Sequence, residues 1–453
     1  MATKYWVGRA HAVRQITTIT VANTWAAADT AVCKINEKEL TITCGSTTTT
    51  TATVAAAIKE AWMASSGLDG TSTSSNATSN FGGQEFGEFR EVTATVSGSV
   101  VTLTANTPGK PFTVTVTETT GGSGTATGST TQTATGPNYW DNPDNWIDSL
   151  DLTSGSTGAP ANDNTVDFRN SNISCKYGLP DGSSDEYTFN VWRSYTGEIG
   201  LPFINRDDPS YPYTEYRQRY VRMDDGGTGT NIAHRFGLGS QGDGCRLCNI
   251  KHSTVKCSPI VYWTGSPLLE RIGEKALNIC CTANTSTLNI VNGSVDFSSL
   301  DGGTSAWVTV SQTGGDSRGV EAMKAAGTVT CSGGTMLIGG TTALDTVTCN
   351  GGTLRLEGQS GTITTLRVQD GGTVQPASST LTLTTIAVYN AGTFDCRDGA
   401  GDLTVTNSTL QRGGKWLDPY RRCTLTNAMA ISYDPSPELV FGATLANPVS
   451  VDN

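Results

Sequence analysis

Apolar positions in this chain recur with a fixed spacing. "TVTCSGGTMLIGG", beginning at Thr328, is followed eighteen residues on by "TVTCNGGTLRLEG", beginning at Thr346. The glycine pair at its centre returns as Gly314-Gly315, Gly333-Gly334, Gly351-Gly352, Gly371-Gly372, Ala391-Gly392 and Gly413-Gly414, at spacings of 19, 18, 20, 20 and 22 residues. Asn292-Gly293 continues the series upstream. After most pairs, two apolar positions alternate with polar ones: Met336/Ile338, Leu354/Leu356, Val374/Pro376, Phe394/Cys396 and, earlier, Val295/Phe297. Alternation of period two marks strands with one buried face. A repeat of about twenty residues punctuated by a glycine turn marks coils that stack on one another. Stacked strands lie about 4.8 Å apart, so Cys331 is expected directly beside Cys349. The fold class expected is mainly β: a parallel β-solenoid (β-helix) with a small inserted α+β domain near the N-terminus.

The front of the chain carries other patterns. "ITTITVAN" and "AVCKINEKELTITC" alternate as strands, the second folding back around Asn36–Glu39 and placing Cys33, Ile35, Leu40, Ile42 and Cys44 on one face. In "TVAAAIKEAW", Val54, Ile58 and Trp62 fall at i, i+4 and i+8, which predicts a short amphipathic helix. "FREVTATVSGSVVTLTA" reads as a hairpin around Ser97–Ser99, "KPFTVTVTETT" as a further strand, and "TGGSGTATGSTTQTATG" as a linker by composition. Four regions follow: residues 1–11 with 137–168 as the opening of the solenoid, 12–136 as the insert with its exit linker, 169–285 as irregular coils, and 286–453 as regular coils with a C-terminal cap.

Composition narrows the choice of partners. The 453 residues carry a net charge of −11, with 16% charged residues. Phosphate binding needs a clustered basic face, so no nucleic-acid partner is expected. No run of about eighteen apolar residues occurs, so no membrane insertion is expected. Met1–Ala10 has no apolar stretch of the secretory kind. Synthesis in a cytoplasm and reduced thiols for the 12 cysteines are therefore expected.

Candidate chemistry is sparse. Cys245, Cys248, His252 and Cys257 have the spacing C-x₂-C-x₃-H-x₄-C, one residue short of a zinc knuckle before the histidine. Four N/S ligands can hold tetrahedral zinc. "CNIKHSTVKC" also has a strand's composition, with Cys248, Ile250 and His252 alternating onto one face, and this favours a cysteine-lined coil; no cofactor or metal is assigned. Asp224/Asp225 and Asp398/Asp402 pair on paper, but beside glycines, where turn geometry alone selects aspartate. No nucleophile elbow or phosphate loop is present, and no catalytic residue is assigned. The segment "RDDPSYPYTEYRQRYVRMDDGG" holds four tyrosines and four arginines in twenty-two residues. Tyr and Arg are enriched at interfaces. Tyr211, Tyr213, Tyr216, Arg217 and Tyr220, with Trp416 and Tyr420 of "KWLDPYRRC", are the candidate interface or glycan contacts.

Two distant fragments, "YWVGRA" at Tyr5 and "NYWDNPDNW…APANDNTVDF" from Asn138 to Phe168, read as one sentence cut in half. Joined through Tyr5, Trp6, Val7, Gly8, Trp140, Asn145, Trp146, Pro160, Asp163, Val166 and Phe168, they resemble the opening of β-helical phage tail-fibre and bacterial surface proteins. The resemblance covers some forty residues and brings no catalytic residue with it. Physically, Trp6, Trp140 and Trp146 would plug the open end of the first coil. The strand–hairpin–helix–hairpin order of the insert resembles small modules of phage virion proteins. The resemblance implies a non-enzymatic virion protein, capsid-decorating or a tail appendage, made in the host cytoplasm. It would form a homo-oligomer, expected to be a trimer, and contact other virion proteins and a host surface glycan. The rival expectation is a carbohydrate-active tailspike that cleaves host polysaccharide.

Overall fold

The structure, a computed structural model, describes residues 2–451 except 36–37, 46–48, 66–76, 80–86, 120, 122, 152–157, 182–185, 202–218, 224–230, 253–255, 268–273, 284, 300–305, 378–379, 399–402, 433–436 and 442–449. It is mainly β, with a parallel β-solenoid of about 10 turns. Among the described residues, 26 strands wind into one continuous sheet. In the regular coils each strand pairs with the strand two places along, so two strand columns climb together. One column runs through Trp307–Gln312, Ile363–Val368, Thr382–Val388 and Leu403–Leu410; the other through Asp316–Val320, Thr373–Pro376, Thr393–Asp395 and Lys415–Asp418. The long strands Met323–Gly340 and Leu344–Gln359 contribute to both.

The repeat register is the observed register. Cys331 pairs with Cys349, Met336 with Leu354, and Ile338 with Leu356. All six side chains are buried. The column that holds the two cysteines reads Gln312, Cys331, Cys349, Val368, Val388 and Leu410. Gln312 is the polar member, and its Nε2 donates to the carbonyls of Gly333 (3.1 Å) and Thr335 (3.0 Å), so burial leaves its amide satisfied.

Glycine is required at the corner for two reasons, which separate along the stack. Gly334 has φ +72°, and a Cβ there would lie 2.1 Å from the Gly315 carbonyl oxygen of the coil before it. Beyond Gly352 the corner changes. Asp370/Gly371, Asn390/Ala391 and Arg412/Gly413 take positive φ at both residues, closed by bonds from Gly372 N to Gln369 O, Gly392 N to Tyr389 O and Gly414 N to Gln411 O. That is the type I′ pattern, and it admits Asn-Ala as well as Asp-Gly because the corner residues face open space.

The insert has its own core. Two antiparallel four-stranded sheets, one containing Ile16–Ala22 and the other Thr30–Ile35, pack with the helix Thr51–Ser65. Val54, Ile58 and Trp62 are fully buried, and Trp62 meets Phe89 edge-on at 4.9 Å. Thr50 Oγ1 accepts the Thr53 N–H at 3.2 Å and caps the helix. This hydrophobic cluster is separate from the one that runs along the solenoid. The segment read as a linker is a strand: Thr125–Gln132 lies antiparallel to Ile16–Ala22 along its length. Its threonines are β-branched strand formers, and its partner lies more than a hundred residues away, so composition alone misjudged it.

The first coil closes around aromatics. Thr3–Trp6 pairs parallel with Asn164–Phe168 and antiparallel with Trp146–Ile147. Trp6 and Trp146 meet at 5.1 Å, Trp140 and Trp146 at 5.0 Å, and Phe168 packs beneath them. Buried Asn145 ties the chain where it leaves and rejoins the solenoid. Its Oδ1 accepts the Ala10 N–H (2.8 Å), and its Nδ2 donates to the carbonyls of Gly136 and Tyr139 (2.8 Å each).

Candidate functional site

The described part of the irregular coils holds a polar cleft. The strand Glu198–Ile199 pairs with Leu247–Cys248 and is tied to the preceding coil by Cys175 N donating to Glu198 O at 2.7 Å. Gly197 allows the chain to pass close to the Tyr195 hydroxyl, which donates to the carbonyls of Ile173 and Glu198 (3.0 Å each). This tight corner opens a cleft of about 310 Å³ lined by Asn172, Ser174, Thr196, Gly197, Glu198 and Arg246. The Glu198 carboxylate is buried and paired with Lys176 Nζ at 2.8 Å. Hydroxyl, amide, carboxylate and guanidinium groups together suit a polyhydroxylated ligand; a single carboxylate lines the cleft.

Two tryptophans of the irregular coils, Trp192 and Trp263, are half-buried and each is covered by an arginine. Arg169 lies over Trp192 at 4.2 Å and near Tyr5 at 5.2 Å, while Arg193 lies over Trp263 at 4.4 Å. Asp167 holds Arg169 through both carboxylate oxygens and accepts the Trp192 indole N–H at 3.0 Å. That hydrogen-bonded carboxylate holds the Arg169 pKa above its ordinary value. Tyr262, at 40% exposure, stands next to Trp263 in sequence. Sequence reading passed over these residues, because the pairs Arg169–Trp192 and Arg193–Trp263 form only across coils. The dipeptide Trp192-Arg193 was the visible signal.

Several expected contacts do not reach the surface. Trp416 is fully buried against Phe394 at 4.8 Å and belongs to the solenoid core, so it is not a contact residue. It follows Gly414 at the offset by which Phe394 follows Gly392, the parity that points inward. Tyr220, 7% exposed, is buried as well. Tyr420 is 68% exposed, with Arg422 5.5 Å from its ring. Tyr211, Tyr213, Tyr216 and Arg217 lie outside the described residues.

The zinc spacing does not become a site. Cys248 and His252 lie on one extended strand, Leu247–His252, and four residues of strand span about 13 Å, too far for one ion. Among the described residues no group of three or more His, Cys, Asp and Glu side chains is placed to hold a metal. Burial pushes the Cys245 thiol up to about 12 and raises Cys248 and Cys257 well above the ordinary range, so these are protonated core thiols. His252 instead meets His234 inside the solenoid, Nε2 to Nε2 at 2.8 Å. Since His234 Nδ1 accepts the Phe189 N–H (3.1 Å), its proton sits on Nε2 and is donated to His252. The His252 proton then sits on Nδ1, which has no hydrogen-bond partner among the described residues.

The distal carboxylates serve the turns. Asp395 receives Arg397 Nε and Nη2 at 2.9 and 2.8 Å, and this pairing holds its pKa below the usual carboxylate range. Asp418 is buried and accepts the N–H groups of Arg422 (2.8 Å) and Cys423 (2.9 Å). Asp398 belongs to the turn after Asp395, and Asp224, Asp225 and Asp402 lie outside the described residues. Comparison with protein-family models, with curated proteins and with solved structures finds no match for this chain.

Proposed function

We propose that this chain is a non-enzymatic structural subunit of a phage particle, a capsid-decorating or tail-appendage protein that presents its irregular coils for attachment. The observation that carries the reading is the split first coil. Trp6 and Trp146, separated by the whole insert, meet at 5.1 Å and seal the solenoid end, in the order of the phage-like opening. A stack closed at one end and bearing a separately cored module suits a rod that docks by one part and projects the other. The polar cleft at Glu198 supplies hydrogen-bonding groups able to hold a sugar chain, and the exposed Tyr262 supplies a ring for stacking. A trimer would present three such surfaces and strengthen attachment by avidity.

The test is electron microscopy of particles decorated with an antibody raised to the purified chain. Gold at regular positions on the particle supports the reading; particles free of label, from lysates rich in the protein, refute it.

A second reading, polysaccharide cleavage, has one observation in its favour: the buried Glu198 in the cleft. Glycoside hydrolysis ordinarily needs two carboxyl groups about 5 to 9.5 Å apart, and the cleft lining offers one. Incubation with capsular polysaccharide decides the matter. Shortened chains that vanish with Glu198→Gln would establish the enzyme.

A further inference from the structure

Eleven of the twelve cysteines are buried, and Cys423 alone is partly exposed. Its sulfur lies 3.6 Å from that of Cys396, 27 residues earlier. The fold makes this meeting. Thr393–Asp395 stacks under Lys415–Asp418, with Asp395 opposite Leu417, so Cys396 lies beneath Asp418. Cys396 N donates to Leu417 O at 2.9 Å. The chain then turns at Pro419–Arg422, with Arg421 at φ +56°, and the Asp418 carboxylate gathers the Arg422 and Cys423 N–H groups. Cys423 is thereby carried back over Cys396 and starts a new strand beside Leu403. Two other thiol pairs, Cys257 with Cys281 and Cys331 with Cys349, are close as well, but all four residues are buried. Cys331 and Cys349 sit in the sealed interior and direct their S–H groups to carbonyls of the glycine corners, as in Cys349 to Gly351 at 3.5 Å.

We propose that Cys396 and Cys423 are a latent cross-link site, joined by thiol–disulfide exchange with a small-molecule disulfide such as oxidised glutathione. Cys423, the less buried residue of the two, attacks as its thiolate and expels one glutathione thiolate, leaving a mixed disulfide. Cys396 then loses its proton and attacks the Cys423 sulfur, expelling the second glutathione. The protein loses two protons and two electrons, and one glutathione disulfide becomes two thiols. The product staples the last regular coils across 27 residues, where solenoid ends fray first. Three influences hold the Cys423 thiol well above its ordinary pKa: the proton shared with Cys396, burial, and the nearby Asp418 carboxylate. Exchange therefore proceeds slowly near neutrality and faster in alkali.

The experiment incubates the full chain with oxidised glutathione at alkaline pH and reads intact mass, a non-reducing peptide map and the thermal midpoint. The expected result is a loss of two hydrogens, one linked peptide joining Cys396 to Cys423, and a midpoint raised by about 5 °C that dithiothreitol reverses. Cys423→Ser should show no mass loss, and Cys396→Ser should retain one glutathione on Cys423. An unchanged mass with both thiols still open to alkylation after unfolding would overturn the proposal. So would a link between other cysteines, or a midpoint that falls on oxidation.

Discussion

His234 and His252 stand on different coils with their Nε2 atoms 2.8 Å apart, and one proton lies between them. Both rings are fully buried, and burial holds both neutral: His252 is lowered to about 3, and His234 well below the ordinary value, with further repulsion from His252.

The consequence is acid sensitivity well above the carboxylate range. An unfolded histidine titrates near about 6.5, so below that pH the unfolded chain binds protons that the folded chain refuses. The pair's contribution is whole above pH 6.5 and is lost as pH falls toward 3, at about 2 kcal/mol per histidine by pH 5. Denaturant melts at pH 7.5 and pH 5 should differ by roughly 4 kcal/mol. The double variant His234→Leu/His252→Leu should have a flatter profile, from a lower starting stability because Phe189 N–H loses its acceptor. Equal stability of the parent protein at the two pH values would refute the neutral pair.

Leu354 faces the interior and Thr353 faces outward. Leu354→Asp puts an unpaired charge into a stacked core and should cost more than about 4 kcal/mol, whereas Thr353→Asp should cost under about 1 kcal/mol. One coil earlier, Met336→Asp should match Leu354→Asp and Thr335→Asp should match Thr353→Asp. Thermal melts of the four variants check this; equal losses at neighbouring positions would contradict the register.

The corner glycines should separate by coil. Gly334→Ala meets both a left-handed φ and the Gly315 carbonyl, and should cost about 3 kcal/mol or more. At Gly371, φ is +78° and no atom lies within 4 Å of an added Cβ, so Gly371→Ala should cost about 1 kcal/mol and Gly371→Asn less. Chemical denaturation measures both. A Gly371 variant as damaged as the Gly334 variant would show that crowding is not the deciding difference.

Asn145→Ala strips partners from Ala10 N–H and from the carbonyls of Gly136 and Tyr139, and should cost about 3 kcal/mol. Replacing residues 11–136 with a short Gly-Ser bridge between Ala10 and Pro137 should leave a folded solenoid, since Asn145 already holds the two ends together. Residues 12–136, expressed alone, should melt cooperatively around their own core. Aggregation of the first product together with an unstructured second would place the boundary elsewhere.

The sequence by itself determined the coil. A corner that needs positive φ and a strand that buries every second side chain are local demands, and a twenty-residue period copies them from coil to coil. Cys331 therefore meets Cys349 without any long-range information. The insert's helix and hairpins were legible for the same reason: Val54, Ile58 and Trp62 carry their period within three turns. The parity that buries Trp416 was also written in the repeat, and the arginines around it drew the reading outward. Tertiary structure alone decided the pairings between distant or irregular segments. Thr125–Gln132 becomes a strand because Ile16–Ala22 offers an open edge, which no composition records. Arg169 finds Trp192, and His234 finds His252, through coils whose lengths follow no period, so counting residues could not align them. Cys423 reaches Cys396 because Asp418 bends the chain back with two hydrogen bonds. Where the physics is periodic and local, the residues announce their place. Where it depends on which surface the chain happens to meet, only the folded coil supplies the neighbour.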